Sequence, residues 1–295
     1  MTVADLVGSF LLHSERNGCK PSTLRHYRGR LKKFVEAFGP RPPRKVGREE
    51  VLNHLYAVGK GLSDSTRRSD IVAVELLQAY AVDYGHLKDP WIRKKKDIKK
   101  PPQGYRERIA SVEETQKLLK AAPEDFALIY RVLRLTGARP SEVCGANISD
   151  IKGEGDERVL VLQEHKTSRK TGKPRRIPLG AAVAPLFDKA VAGRTEGRVF
   201  VDRRGLPWDR DRLSRHFRLL RNKLGLSKEL VLYSTRHEFG TAVAHEFGLL
   251  QASRLLGHTN TKMTERYTKT PEEQLRDVQG KAIKDVDPGP AGSES

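Results

Sequence analysis

Leu24, Tyr27, Leu31, Phe34, Val35 and Phe38 recur every three or four positions through STLRHYRGRLKKFVEAFG. That spacing lines one side of a helix, since roughly 3.6 residues complete a turn. Ser22 is the N-cap candidate, and Gly39-Pro40 closes the pattern. The same rhythm predicts a helix from about Val3 to Arg16. It predicts another from Ser65, through STRRSDIVAVELLQAYAVDYG, with Ile71, Val74, Leu77 and Ala81 inward. Pro42, Pro43 and Gly47 punctuate helices rather than domains. Residues 1–92 are therefore expected to form a helical domain.

The pattern then stops. WIRKKKDIKKPPQGYRER carries like charges around Pro101-Pro102, and repulsion with proline stiffness predicts a linker over residues 93–108. From Ile109 the pattern is mixed. Ser111 and Glu114 form a capping-box pair before QKLLKAA, and EDFALIYRVLRLTG reads as an apolar helix ending at Gly137. ERVLVLQEH and RRIPL read as strands joined by the polar KTSRKTGKP, which predicts a hairpin. Further helices are expected at Arg210–Leu224, Ser234–Phe247, Leu249–Leu256 and Lys262–Tyr267. The tail over residues 285–295, DVDPGPAGSES, is expected to be disordered. The expected fold class is mainly α with a small antiparallel β-sheet (α+β), with a catalytic unit over residues 109–284.

Charge narrows the function. Lys and Arg number 56 against 37 Asp and Glu, a net +19 over 295 residues. Such an excess points to a polyanion, most simply nucleic acid. Arg25, Arg28, Arg30, Lys32 and Lys33 fall on the polar side of the helix from Ser22. Arg25, Arg28 and Lys32, with Lys94, Lys95, Lys96, Lys99 and Lys100, are the candidate DNA contacts. A solvated basic face is the competing reading. No apolar run is long enough for a bilayer, and no leader pattern is visible, so a cytoplasmic, nucleoid-associated protein is expected. Cys19 and Cys144 lie far apart, which argues against a disulfide framework or a zinc site.

Three stretches carry chemistry. In LTGARPSEV, Pro140 suits the first position of a helix, which places Arg139 at a helix start, where an anion is favoured. The competing reading is an arginine paired with Glu142. In LYSTRHEFGTA, Ser234 as N-cap sets Arg236 and His237 in a first turn. Two guanidiniums at helix starts can hold both non-bridging oxygens of one phosphodiester. Lys166 and Lys170 lie at the hairpin turn, where a lysine can protonate a leaving oxygen or simply face solvent. In GHTNTKMTERYTK, the turn material Thr259-Asn260-Thr261 breaks the helix, so that His258 and Tyr267 can face one point.

Taken in order, LTGARPSEV, HKTSRKTGKPRRIPL, YSTRHEFGT and LLGHTNTKMTERY resemble the boxes of the tyrosine recombinases, or phage-type integrases. The resemblance covers roughly residues 109–284, and more loosely the helical first part. It implies two domains forming a C-shaped clamp on duplex DNA. It implies that Tyr267 attacks a phosphodiester to give a 3′-phosphotyrosyl link, while Arg139, Arg236 and His258 stabilise the developing charge. Lys166 would protonate the departing 5′-oxygen, and Lys170 is the alternative. Lys166 is favoured because it continues the strand. Tyr233 stands where the family usually has histidine, so it either takes part in catalysis or positions the phosphate. No metal or other cofactor is implied. The implied partner is a specific double-stranded site, bound by a homotetramer on paired DNA. The segment after Tyr267 would dock on a neighbouring subunit. The competing functions are a non-catalytic DNA-binding regulator, a relaxing enzyme of type IB topoisomerase chemistry and a metal-dependent nuclease.

Replacing Lys94, Lys95, Lys96, Lys99 and Lys100 by Gln is expected to flatten the salt dependence of DNA binding, the slope falling by about 0.9 for each phosphate that is no longer neutralised. The choice of sequence should stay the same, because phosphate contacts carry no base information. An unchanged slope in a salt titration would place the run in solvent.

Overall fold

In the computed structural model, residues 1–94, 96–102, 104, 108–164, 172–258 and 264 are described, and they fall into two units, Met1–Tyr105 and Arg106–Ser295. The first unit is helical. Helix α1 (Val3–Arg16) opens on a capping box in which the Thr2 hydroxyl accepts from the Asp5 N–H and the Thr2 N–H donates to Asp5 Oδ2. Helix α2 (Pro21–Phe38) starts earlier than Ser22, with Lys20 as its N-cap. Proline at the first helical position supplies the helical φ and needs no N–H partner there. Helix α3 (Arg48–Gly59) follows, with the Gly47 N–H held by Glu50 Oε2 at 2.7 Å. Helix α4 (Asp64–Asp83) is capped by Ser63 rather than starting at Ser65. Val3, Leu6, Leu31, Phe34, Val51, Leu77 and Ala81 close one core.

The stretch read from sequence as the start of a linker is stitched to this unit. Trp91, Ile92 and Ile98 are buried in its core. Trp91 Nε1 donates to the Val46 carbonyl, and the Gln78 amide exchanges two hydrogen bonds with the backbone of Ile92. Asp97 pairs with Arg48 at 2.7 Å. Together with the backbone N–H groups of Lys94 and Arg93, that contact holds its carboxyl down to about 2. Arg68 donates to the Pro101 carbonyl. The aromatic and aliphatic residues beside the lysines thus anchor a segment on which Lys94, Lys96 and Lys99 are exposed.

The second unit has helices α5 (Val112–Ala121), α6 (Glu124–Thr136) and α7 (Pro140–Gly145), then a small sheet. Strands β1 (Ile151–Lys152), β2 (Val159–Leu162) and β3 (Arg175–Pro178) run antiparallel in the order β1-β2-β3, with Leu160 opposite Ile177 and Leu162 opposite Arg175. The expected hairpin is β2 and β3. The two-residue edge strand β1 is too short for any alternation to reveal. Helices α8 (Ala184–Val191), α9 (Arg210–Lys223), α10 (Ser234–Phe247) and α11 (Leu249–Leu256) complete the described elements. The expected helix at Lys262–Tyr267 and the tail lie outside the described residues. The fold is mainly α with a small antiparallel sheet. Phe126, Tyr130, Leu133, Leu160, Ile177, Phe187 and Phe217 belong to its main core. A smaller cluster of Val243, Ala244, Ala252 and Leu256 joins α10 to α11. Among the described residues no helix is long and apolar enough to cross a membrane.

Helix α6 ends where the sequence places it, at Gly137, with φ 58°. A Cβ there would come within 2.3 Å of the Phe239 ring and 3.0 Å of Leu256. Gly137→Ala combines a left-handed backbone with overpacking and should destabilise the second unit by about 2–4 kcal/mol. Urea unfolding followed by near-ultraviolet circular dichroism measures it. A loss below about 0.5 kcal/mol, the level of an ordinary surface change, would mean that the turn is not constrained.

Candidate functional site

The turn after α6 creates the first component. Gly137 reverses the chain in the left-handed conformation, and Arg139 becomes the N-cap of α7 with Pro140 as its first residue. The Arg139 N–H donates to Glu142 Oε2 at 2.8 Å, and its Nη1 donates to Glu142 Oε1 at 2.7 Å. Both side chains are buried. The pairing with Glu142 is therefore real, and one carboxylate caps the helix and fixes the guanidinium. Burial pushes the Glu142 carboxyl up. The Arg139 charge, the Arg139 N–H and the Arg175 charge outweigh that and hold it below the ordinary range.

Helix α10 supplies the second component. Tyr233 is its N-cap and Ser234 its first residue, so the cap lies one position earlier than the sequence reading places it. Ser234 still serves the turn, because its hydroxyl accepts from the Val231 N–H. Arg236 is fully buried. Its Nη1 donates to the Gly137 carbonyl at 2.6 Å and its Nη2 to the Leu256 carbonyl at 2.7 Å. Beside it, Arg134 of α6 pairs with Glu238 of α10, which locks the two helices in register.

Helix α11 supplies the third. It ends on Gly257 at φ 62°, and the His258 N–H returns to the Ser253 carbonyl at 3.0 Å. This left-handed termination throws His258 off the helix axis. His258 Nδ1 shares a hydrogen bond of 2.7 Å with the Thr264 hydroxyl, and Thr264 is buried.

A fourth residue was not singled out by sequence. Arg175 opens β3, is buried, and donates through Nη2 to the Leu255 carbonyl and through Nη1 to the Arg176 carbonyl. Burial drags its guanidinium down to about 10. Glu142 opposes that shift, and the charges of Arg236 and Arg139 add to it. The available signal was the inward phase of β3, in which Arg175 and Ile177 are buried while Arg176 and Pro178 are exposed. An arginine on the inward side of a strand needs a partner or a ligand. Among the described residues, the buried guanidiniums of Arg139, Arg175 and Arg236 cluster with the buried Glu142 carboxylate. A cluster of buried cations makes a candidate site for an anion.

Tyr233 stays 38% exposed, with its ring edge-on to His237 at 5.4 Å between centroids. It lines one cleft with Arg139, Arg210, Arg218 and Lys228. Lys166, Lys170 and Tyr267 lie outside the described residues. In the first unit, Arg25, Arg28 and Lys32 are exposed along the groove between α1 and α2. Lys94, Lys96 and Lys99 are exposed too, whereas Lys100 pairs with Glu75 at 2.5 Å. Lys95 is outside the described residues.

Residues 108–274 match the model of the phage integrase family. Tyrosine recombinase XerD of Halalkalibacterium halodurans is 24% identical over 292 residues, covering 90% of this chain and 94% of the relative. Tyrosine recombinase XerA of Thermococcus kodakarensis is 28% identical over 290 residues, covering 94% and 95%. Among solved structures, a lambda integrase tetramer bound to a Holliday junction superimposes with a TM-score of 0.76 at 18% identity, covering 90% of this chain and 77% of that one. The Tn1549 transposon integrase in complex with circular intermediate DNA gives a TM-score of 0.71 at 20% identity, covering 95% and 99%.

The folded Glu142 carboxyl lies below its unfolded value, so its contribution to stability is complete above the unfolded pKa of about 4.3 and is lost as pH falls through the folded pKa. Glu142→Gln should lower stability near neutrality by about 3 kcal/mol, the scale of a buried pair with one charge removed. The gap to wild type should narrow on acidification. Thermal unfolding between about pH 3 and pH 6 checks this, and parallel curves for the two proteins would rule out the linkage.

Proposed function

The chain belongs to the phage integrase family, and from that premise we propose which of its residues carry out the strand exchange of a site-specific DNA recombinase. The observation that carries the reading is the buried pair Arg139 and Arg236 beside the His258 turn, which Arg175 braces from the sheet. A phosphodiester supplies the balancing anion. Arg139 and Arg236 take its non-bridging oxygens, and His258 adds a donor on the same side. Arg236 is oriented by two backbone carbonyls, so little reorganisation accompanies the build-up of charge.

Tyr267 is the nucleophile. Its hydroxyl attacks phosphorus, the bond from phosphorus to the 5′-oxygen breaks, and a 3′-phosphotyrosyl ester forms. Lys166 gives the departing oxygen its proton, with Lys170 as the alternative from the same turn. Tyr233, at the mouth of the cleft that Arg139 lines, positions the phosphate. A 5′-hydroxyl from a second strand then reverses the chemistry. One ester replaces another at each step, so no ATP is consumed. The exposed Arg25, Arg28, Lys32, Lys94, Lys96 and Lys99, with Lys95 and Lys100, hold phosphates along a duplex site. A homotetramer on paired sites is the working assembly, a reading supported by the lambda integrase tetramer among the structural neighbours. The relatives' names favour recombination over simple relaxation.

Tyr267→Phe removes one oxygen. DNA binding should persist while covalent capture vanishes. In cells, DNA that stays on the wild-type protein through SDS should be recoverable and sequenced, which also identifies the site. The Tyr267→Phe protein should retain none. An SDS-resistant adduct with that variant would assign the nucleophile elsewhere.

A further inference from the structure

We propose that Arg175 is a positioning residue for His258, holding the end of α11 so that the histidine meets the phosphate. This rests on the reading of His258 as part of the phosphate site. Arg175 reaches across from the start of β3 to the last turn of α11, where its Nη2 donates to the Leu255 carbonyl. A methyl group at Gly257 would come within 2.9 Å of Arg175 Cδ and Nε, so the guanidinium lies against the backbone of the residue before His258. The contact binds in two ways. The carbonyls at a helix C-terminus carry partial negative charge and favour a cation. The open Gly257 backbone, with φ at 62°, leaves room for the guanidinium to stay there.

The arrangement has a division of labour. Arg236 takes the Leu256 carbonyl and Arg175 takes its neighbour at Leu255, so two buried cations hold consecutive carbonyls of one helix end. Arg236 comes from α10, which packs directly on α11. Arg175 comes from the sheet, and it ties the His258 turn to the same strand pair that carries the hairpin of Lys166 and Lys170. Arg175 Nη1 is fixed by the Arg176 carbonyl at 3.0 Å, so the side chain is anchored at its own strand before it reaches the helix. Removing it would free the turn to shift while leaving His258 chemically intact.

The test is a double-mutant cycle on covalent adduct formation. The substrate is a nicked duplex built on the DNA recovered with the wild-type protein. Arg175→Met keeps most of the side-chain stem and removes every donor. If that variant does not unfold cooperatively, Arg175→Gln is read the same way. Arg175→Met and His258→Ala should each slow adduct formation by about 10–100-fold, the scale of a misplaced catalytic group. The double variant should be no slower than the slower single one, because Arg175 acts only through His258. A merely structural loss would multiply with that of His258→Ala, and multiplication overturns the proposal. So does an Arg175→Met protein that reacts at the wild-type rate. If His258→Ala itself reacts at the wild-type rate, the reading of the phosphate site fails first, and the inference falls with it.

Discussion

The second unit turns on one buried guanidinium. Arg236 has no exposed surface, and it donates to the carbonyls of Gly137 and Leu256 at 2.6 and 2.7 Å. Those carbonyls belong to the ends of two different helices, α6 and α11, and each end closes on a left-handed glycine. A helix C-terminus presents unsatisfied carbonyls and partial negative charge, so a cation placed between two of them satisfies both. The consequence is geometric. Arg139 lies two residues after Gly137, and His258 two residues after Leu256, so the groups proposed to act on phosphate are spaced by the arginine that joins them.

That solution has a cost. Arg139, Arg175 and Arg236 are buried with Glu142 as the nearby buried carboxylate. Like charges in a low-dielectric interior repel, and desolvation adds to the expense. The unit tolerates this because main-chain carbonyls and Glu142 absorb part of it, and because the Arg134–Glu238 pair and the α10–α11 apolar cluster hold the surrounding helices in place. Such a cluster of buried cations attracts an anion. On the proposed reading, repulsion among the guanidiniums is relieved when a phosphodiester enters, and most when its charge rises during attack.

The two units divide this work by burial. In the first unit the basic side chains are mostly exposed, so on the proposed reading their charges act through the salt-dependent release of counterions. In the second the decisive arginines are buried, where a few well-oriented donors are worth more than many solvated ones. The basic run after α4 belongs with the first group. Lys94, Lys96 and Lys99 are exposed while Trp91, Ile92 and Ile98 hold the backbone of the run in the core.

Wherever the physics is local, the sequence determined the outcome alone. The limits of α1, the Ser111–Glu114 capping box and the end of α6 at Gly137 follow from helical period, side-chain caps and the one residue that accepts positive φ. The hairpin strands follow from short β-prone runs on either side of a polar stretch. The four ordered motifs gave the family because their residue types sit at fixed places on those local elements. Helix starts were less legible. Lys20 and Tyr233 displaced the expected caps Ser22 and Ser234, since a good cap residue is also tolerated within the first helical turn. Arg175 could be read as inward-facing on its strand, but not as part of the site. Its partners are Leu255 and the backbone at Gly257, some eighty residues away along the chain. Only the packing of β3 against the end of α11 decides that an arginine on the inner side of a strand meets a helix terminus instead of solvent. Periodicity tells which way a side chain faces; what it faces is set by the tertiary fold, because that depends on contacts between segments that no local pattern connects.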